Sequence, residues 1–151
     1  MGITSIPSDS RTLFSTPKTV ELLEVPPGKY WHFGLKRVLE MLLTNKYLEN
    51  ITEISLNFNI DGLPVSKSSK GQFWPILCSI KGINLPPLVL GIYYGHSKPN
   101  NVNEFLKPIV DELVYLTENG VLNANEEKIL FNVKNFVCDA PAEFLKMHKR
   151  T

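Results

Sequence analysis

The chain has 151 residues, enough for one domain with a buried core, and its 43% hydrophobic and 21% charged residues fit a soluble globular protein rather than a disordered one. A formal net charge of +1 excludes bulk positive charge as a route to nucleic acid, so any such contact must come from a local patch. The N-terminus MGITSIPSDSR has no basic segment leading into an apolar one, and Leu85 to Tyr94, the longest apolar stretch, holds two prolines and a glycine. A secretory signal and a bilayer span are both argued against. With Cys78 and Cys138 as the two cysteines, the chain reads as nuclear or cytoplasmic, not secreted, with free thiols and no membrane partner.

In chain order, residues 1–30 are rich in Ser, Thr and Pro and read as an extended lead-in, with a short strand at Val20 to Val25. From about Phe33 to Tyr47 the period changes. Leu35, Val38, Leu39, Leu42 and Leu43 fall at helical spacing, with Lys36, Arg37 and Glu40 on the other face. Ile54, Leu56, Phe58 and Ile60 then alternate with Ser55, Asn57, Asn59 and Asp61, which predicts a strand carrying Asp61 on its polar side. A second strand, Phe73 to Ile80, contains Pro75, which requires a bulge or an unpaired position. A third runs from Leu88 to Tyr94. Asn101 caps a helix whose apolar stripe extends from Val102 to Leu116, with Gly120 as the stop and Pro108 as a kink or restart. Val121 to Glu127 reads as a loop, Ile129 to Cys138 as a fourth strand ending at Asp139, and Ala140 to Lys149 as a last helix.

Short connections favour an antiparallel meander for the first three strands. A fourth strand reached through a helix should lie parallel to the first and beside it, which brings Asp61 and Asp139 together. Neighbouring carboxylates repel unless one is protonated or a cation lies between them, and a hard Mg²⁺ or Mn²⁺ ion suits oxygen ligands. The alternative is a pair of turn aspartates that end strands. Lys67, Ser68, Ser69 and Lys70, in the turn after Asp61, offer two ammonium groups and two hydroxyls to DNA phosphates, or form a solvated turn. Trp74 is a base-stacking platform or, with Phe73 and Pro75 beside it, a core aromatic. Tyr93, Tyr94, His96 and Lys98 read as a structural loop mouth. No zinc-ligand spacing, Gly-rich phosphate loop or nucleophile elbow occurs.

Three blocks, IDGLPVSKSSKGQFWPIL, GIYYGHSKPNNVNEFLKPIVDEL and NFVCDAPAEFLK, resemble consecutive blocks of transposase-derived proteins related to CACTA-type (En/Spm-like) DDE/DDD transposases. SRTLFSTP and GKYWHFGL are similar to the region before the first catalytic strand, so the resemblance runs from about Asp9 to Lys146. It implies a partial RNase H-like α/β fold: a mixed sheet with a three-strand antiparallel meander and a fourth strand parallel to the first, packed by helices. It also implies residues 1–30 as lead-in and 31–151 as a truncated transposase core domain. Asp61 and Asp139 would be catalytic, metal-binding carboxylates for Mg²⁺- or Mn²⁺-dependent DNA cleavage and strand transfer, that is, DNA transposition. Family members continue into a cysteine-containing, zinc-binding insertion and a third acidic residue, whereas this sequence reads EFLKMHKRT from Glu143 onward. The expectation is a transposable-element fragment inactive alone, with DNA, a full-length transposase or a second copy as partners. The rivals are a non-enzymatic DNA- or protein-binding module and an unstable product with no selected role.

Overall fold

The computed structural model describes residues 20–44, 50–68, 70–123 and 125–138; Ser69, Asp139 and the expected helix from Ala140 to Lys149 lie outside the described residues. Chain order gives strands β1 (Leu23–Val25) and β2 (Gly28–His32), then helix α1 (Leu35–Thr44). Next come β3 (Glu53–Ile60), β4 (Leu63–Pro64), β5 (Gln72–Ile80) and β6 (Leu88–Gly95). Helix α2 (Val102–Asn119), β7 (Val121–Leu122) and β8 (Lys128–Cys138) follow. The strands form one mixed sheet ordered β1-β2-β6-β5-β3-β8-β7, with β4 pairing to β5.

The meander is as expected: β3 pairs antiparallel with β5, and β5 antiparallel with β6. The crossover through α2 delivers β8 parallel to β3, from Glu53↔Leu130 to Ile60↔Cys138. The register shifts after Leu56↔Val133, leaving Lys134 as the extra residue before Asn57↔Asn135. That bulge resets the alternation of β8. It returns Phe136 to the core side, where its ring stacks on Phe58 at 5.6 Å. Pro75 pairs with Ile92 of β6, while on its other side it falls between Ile76, the last residue paired to β3, and Phe73, paired to β4. A central strand tolerates the missing amide there because that stretch has no ladder partner.

Three features differ from the sequence reading. Strand β2 is one that the residue pattern does not predict. It lies between β1 and β6 and carries Tyr30, fully buried, so residues placed in the lead-in belong to the sheet. GKYWH is short and aromatic, wedged between a Pro-Pro-Gly turn and a helix, and gives too little alternation to register as a strand. Val121 and Leu122, expected in a loop, pair with Ile129 and Lys128. Asn123 organises that turn: its Oδ1 accepts from the amides of Asn125 and Glu127, and its Nδ2 donates to the Ile51 carbonyl. Helix α2 runs through Pro108 without a restart, its side chains Phe105, Leu106, Ile109, Leu113 and Leu116 buried. Its cap is the expected one, with Asn101 Oδ1 accepting from the Asn103 and Glu104 amides.

Both helices pack on one face of the sheet, where Leu56, Phe58, Ile60, Ile76, Leu90 and Tyr93 join them in a single core. Phe105 of α2 meets the rings of Tyr30 and Tyr93 edge-on at 5.4 and 5.6 Å. Among the described residues no helix covers the other face, which exposes Phe73, Val89, Leu130 and Val137 beside Asn57, Asn59 and Asn135.

Helix α1 begins at HFGL, with no Ser, Thr, Asp or Asn to satisfy its first amides. Glu112 of α2 does this from outside: Leu35 N donates to its Oε2 at 2.6 Å, and the Lys36 amide is a second donor. Gly34, at φ +97°, allows the approach, since a Cβ there would lie 2.7 Å from Glu112 Oε1. His32 Nε2 stands 3.3 Å from the same carboxylate, and its Nδ1 shares a 2.9 Å hydrogen bond with the Tyr30 hydroxyl. Burial alone would raise the Glu112 carboxyl, but the His32 hydrogen bond and charge and the two backbone amides outweigh it and hold it below the ordinary value. A depressed carboxyl contributes stability above its unfolded pKa that is lost as pH falls through its folded pKa. Glu112→Ala should therefore cost about 1–3 kcal/mol near neutrality by leaving helix amides unpaired. In urea unfolding, the gap between wild type and Glu112→Ala should shrink as pH drops below the ordinary glutamate pKa; a gap unchanged at acid pH contradicts this role.

Candidate functional site

Strand β6 is antiparallel to β5, which is antiparallel to β3, so β3, β6 and β8 all run the same way. Their C-terminal ends therefore share one end of the sheet. There, β3 passes into Asp61–Gly62, and β6 passes through the 96–101 loop into α2. The 65–71 loop, which leads into β5, sits at this end as well.

Asp61 is exposed and directly follows Ile60, the residue paired with Cys138 at the end of β8. The alternation along β3 puts it on the helix-free side with Asn57 and Asn59. Asp139, the other expected carboxylate, lies outside the described residues, so the expected pair is described on one side alone. Among the described residues no three His, Cys, Asp or Glu side chains converge as a metal-binding group. The oxygen donor of Asp61 is of the type a hard divalent cation takes, and Asp61 fits such an ion as one ligand of a set. Cys138 is half-buried against the core, as the alternation predicts. Cys78 is buried, and its thiol is pushed up to about 12 by burial, which makes it an inert packing residue.

Lys67, Ser68 and Lys70 are exposed in the loop that the Val65 amide closes onto the Gly71 carbonyl at 3.1 Å. Ser69 lies outside the described residues. Since Ile60 is level with Ile76, and β4 pairs as far as Gln72, the loop starts four residues further along β5. At ~3.3 Å per residue this places it roughly 13 Å beyond the level of Ile60. Lys67 and Lys70 thus share the end of the sheet with Asp61 but extend past it.

A nearer cation comes from the β6–α2 connection. Lys98 Nζ stands 5.2 Å from the centre of the Trp74 ring, and Trp74 lies two residues along β5 from Ile76. The indole is buried at 6% exposure on the helix-covered side, so the core reading of Trp74 holds, and Lys98 lies over the face that a base would need for stacking. Its Cζ2, Cη2 and Cε2 atoms lie 2.7–3.0 Å from where a Cβ on Gly62 would be. This is why glycine must follow Asp61: the indole fills the space any side chain would take. Tyr94, its ring 5.3 Å from Phe73 and 6.2 Å from His96, lines the outer side of the same region. Sequence reading placed Lys98 in a structural loop. The signal that could have found it is topological, because a loop after a strand parallel to β3 must emerge at the Asp61 end.

On the helix-free face a shallow depression of about 280 Å³ is lined by Asn57, Asn59, Leu77, Ser79, Asn135 and Val137, among others. Asn135 Nδ2 donates to Asn57 Oδ1 at 2.8 Å across the β3–β8 pair, and Asn132 Nδ2 to Glu53 Oε1 at 2.7 Å. These amide contacts tie the parallel strands together on the side that leads to Asp61.

No family model, curated protein or solved structure matches the chain. The close approach at the Asp61 turn is testable. Gly62→Ala should destabilise the domain by about 1–3 kcal/mol through overpacking against Trp74, with a changed Trp emission maximum in the folded state. A variant as stable as wild type with unchanged emission contradicts the packing.

Proposed function

We propose that the chain is a transposase-derived domain of partial RNase H-like fold, whose ancestral chemistry is metal-dependent DNA cleavage and strand transfer. The observation that supports this most is the parallel β3·β8 ladder, built by a helix crossover and ending at Ile60↔Cys138, one residue short of Asp61 and Asp139 in sequence. In this reading the two aspartates hold Mg²⁺ or Mn²⁺. When bound, such an ion polarises a phosphodiester and lowers the pKa of an attacking water or hydroxyl. The chain's own residues bind and orient: the carboxylates fix the cation, and Lys67, Ser68, Ser69 and Lys70 meet the phosphates of DNA lying past the end of the sheet. Glu143 is the acidic residue of the sequence after Asp139.

A second reading is a non-enzymatic module that binds DNA, a full-length transposase or a second copy. The exposed apolar side chains of the helix-free face favour it. Among the described residues no helix is long and apolar enough to cross a membrane.

Calorimetric titration of Mn²⁺ into wild type, Asp61→Asn and Asp139→Asn separates the readings. The shared-site reading predicts affinity weakened about tenfold or more in each variant. Indistinguishable titrations in all three would sink it. On supercoiled DNA with Mn²⁺, any nicking by the wild-type chain should be lost in Asp61→Asn, and DNA retention should weaken steeply with salt. Nicking that persists unchanged in Asp61→Asn contradicts the role of that carboxylate.

A further inference from the structure

Trp74 poses a specific problem at the end of the sheet. Its indole Nε1 is buried and, among the described residues, is the buried side-chain nitrogen or oxygen without a hydrogen-bond partner. An indole N–H only donates, so what it lacks is an acceptor. A buried donor left unpaired costs about 1–3 kcal/mol and calls for a physical reason. The surroundings say which kind of acceptor would suit. The edge of the ring that includes Cε2, the carbon bonded to Nε1, abuts Gly62, where the chain carries no side chain. Lys98 holds its ammonium over the same ring. A donor-only group with a cation beside it selects a negatively charged oxygen.

We propose that Trp74 Nε1–H and Lys98 Nζ form a seat for a phosphate oxygen of a nucleic-acid strand lying across the C-terminal end of β3. The strand alternation gives the seat its place. Asp61 faces the helix-free side, and Trp74 sits on the helix-covered side, with the Gly62 backbone between them. A strand crossing that end meets the carboxylate on one side of β3 and the indole and ammonium on the other. The seat opens by rotation of the Lys98 side chain, whose four-carbon tether keeps the ammonium within reach of an anion beside the ring. Trp74 then acts through the edge of its ring, not through its face. The identity of the ligand rests on the DNA reading of the Asp61 end; the seat itself does not require a metal.

The test uses the full chain labelled with ¹⁵N and kept free of divalent metal. The Trp74 indole resonance, assigned by its loss in Trp74→Phe, is followed while inorganic phosphate, the dinucleotide thymidylyl-thymidine or chloride is added at matched ionic strength. Trp31 serves as the internal reference. The proposal predicts a saturable shift of the Trp74 resonance with the dinucleotide and with phosphate, none with chloride, and an apparent affinity about tenfold weaker in Lys98→Gln. Lys98 is exposed, so that variant should fold. A Trp74 resonance that does not move, moves equally with chloride, or responds identically in Lys98→Gln overturns the seat. A response to inorganic phosphate without one to the dinucleotide overturns its assignment to nucleic acid. If the seat responds as predicted while Mn²⁺ binding proves independent of Asp61, the seat stands and the metal reading falls; the converse result removes the seat alone.

Discussion

The parallel pairing of β3 with β8 is the constraint on which the remaining architecture depends. Parallel neighbours cannot be joined by a tight turn, so the chain must leave β6, cross through α2 and return. That crossover lays an amphipathic helix over the sheet and creates the core shared with α1. The pairing is held by the ladder itself, by the Asn57–Asn135 and Glu53–Asn132 contacts on the open side, and by the Phe58–Phe136 stack on the covered side. The bulge at Lys134 makes the two sides compatible. Were Lys134 paired in regular register instead, every side chain from Asn135 onward would change face, sending Phe136 to solvent and an asparagine into the core.

The same constraint sets what lies at the Asp61 end of the sheet. Three strands finish there together, and the connections that gather at that end bear charged or polar groups. Asp61 comes from β3, Lys98 from the segment after β6, and Lys67 and Lys70 from the loop before β5. It is the sheet that gathers these groups. Trp74 anchors the arrangement from beneath, and the glycine after Asp61 exists because of it. Glu112 plays a comparable part at the start of α1. A side chain from α2 supplies a cap that the local sequence lacks, so docking of the two helices and the first turn of α1 depend on one carboxylate.

Strongly periodic stretches were readable from the sequence. The alternation in β3 and the helical spacing in α1 and α2 reflect one buried face each, and one-faced burial is what periodicity records. The order β6-β5-β3-β8 follows from connection lengths. What escaped was structure specified by partners distant in the chain. Strand β2 is held by β6, and β7 by a two-residue match to β8 around Asn123, with little pattern of their own. The cap of α1 is invisible in HFGL because it resides in Glu112. At the site, Asp61 was readable because a strand pattern ends on it, whereas the role of Lys98 depends on where a loop emerges in space. The nearness of Trp74 to Gly62 is likewise a tertiary fact that neither residue advertises.

The proposed role of the C-terminal end of the β3–β8 pair is to hold a divalent cation. Substoichiometric Mn²⁺ added to ¹⁵N-labelled protein tests it most directly, because the ion broadens only nearby amide resonances. The account predicts that Gly62 and Cys138 broaden first, that Glu53 and Leu130 at the far end of the same two strands stay sharp, and that Asp61→Asn abolishes the effect. Broadening that is uniform, that is centred elsewhere, or that persists unchanged in Asp61→Asn contradicts it.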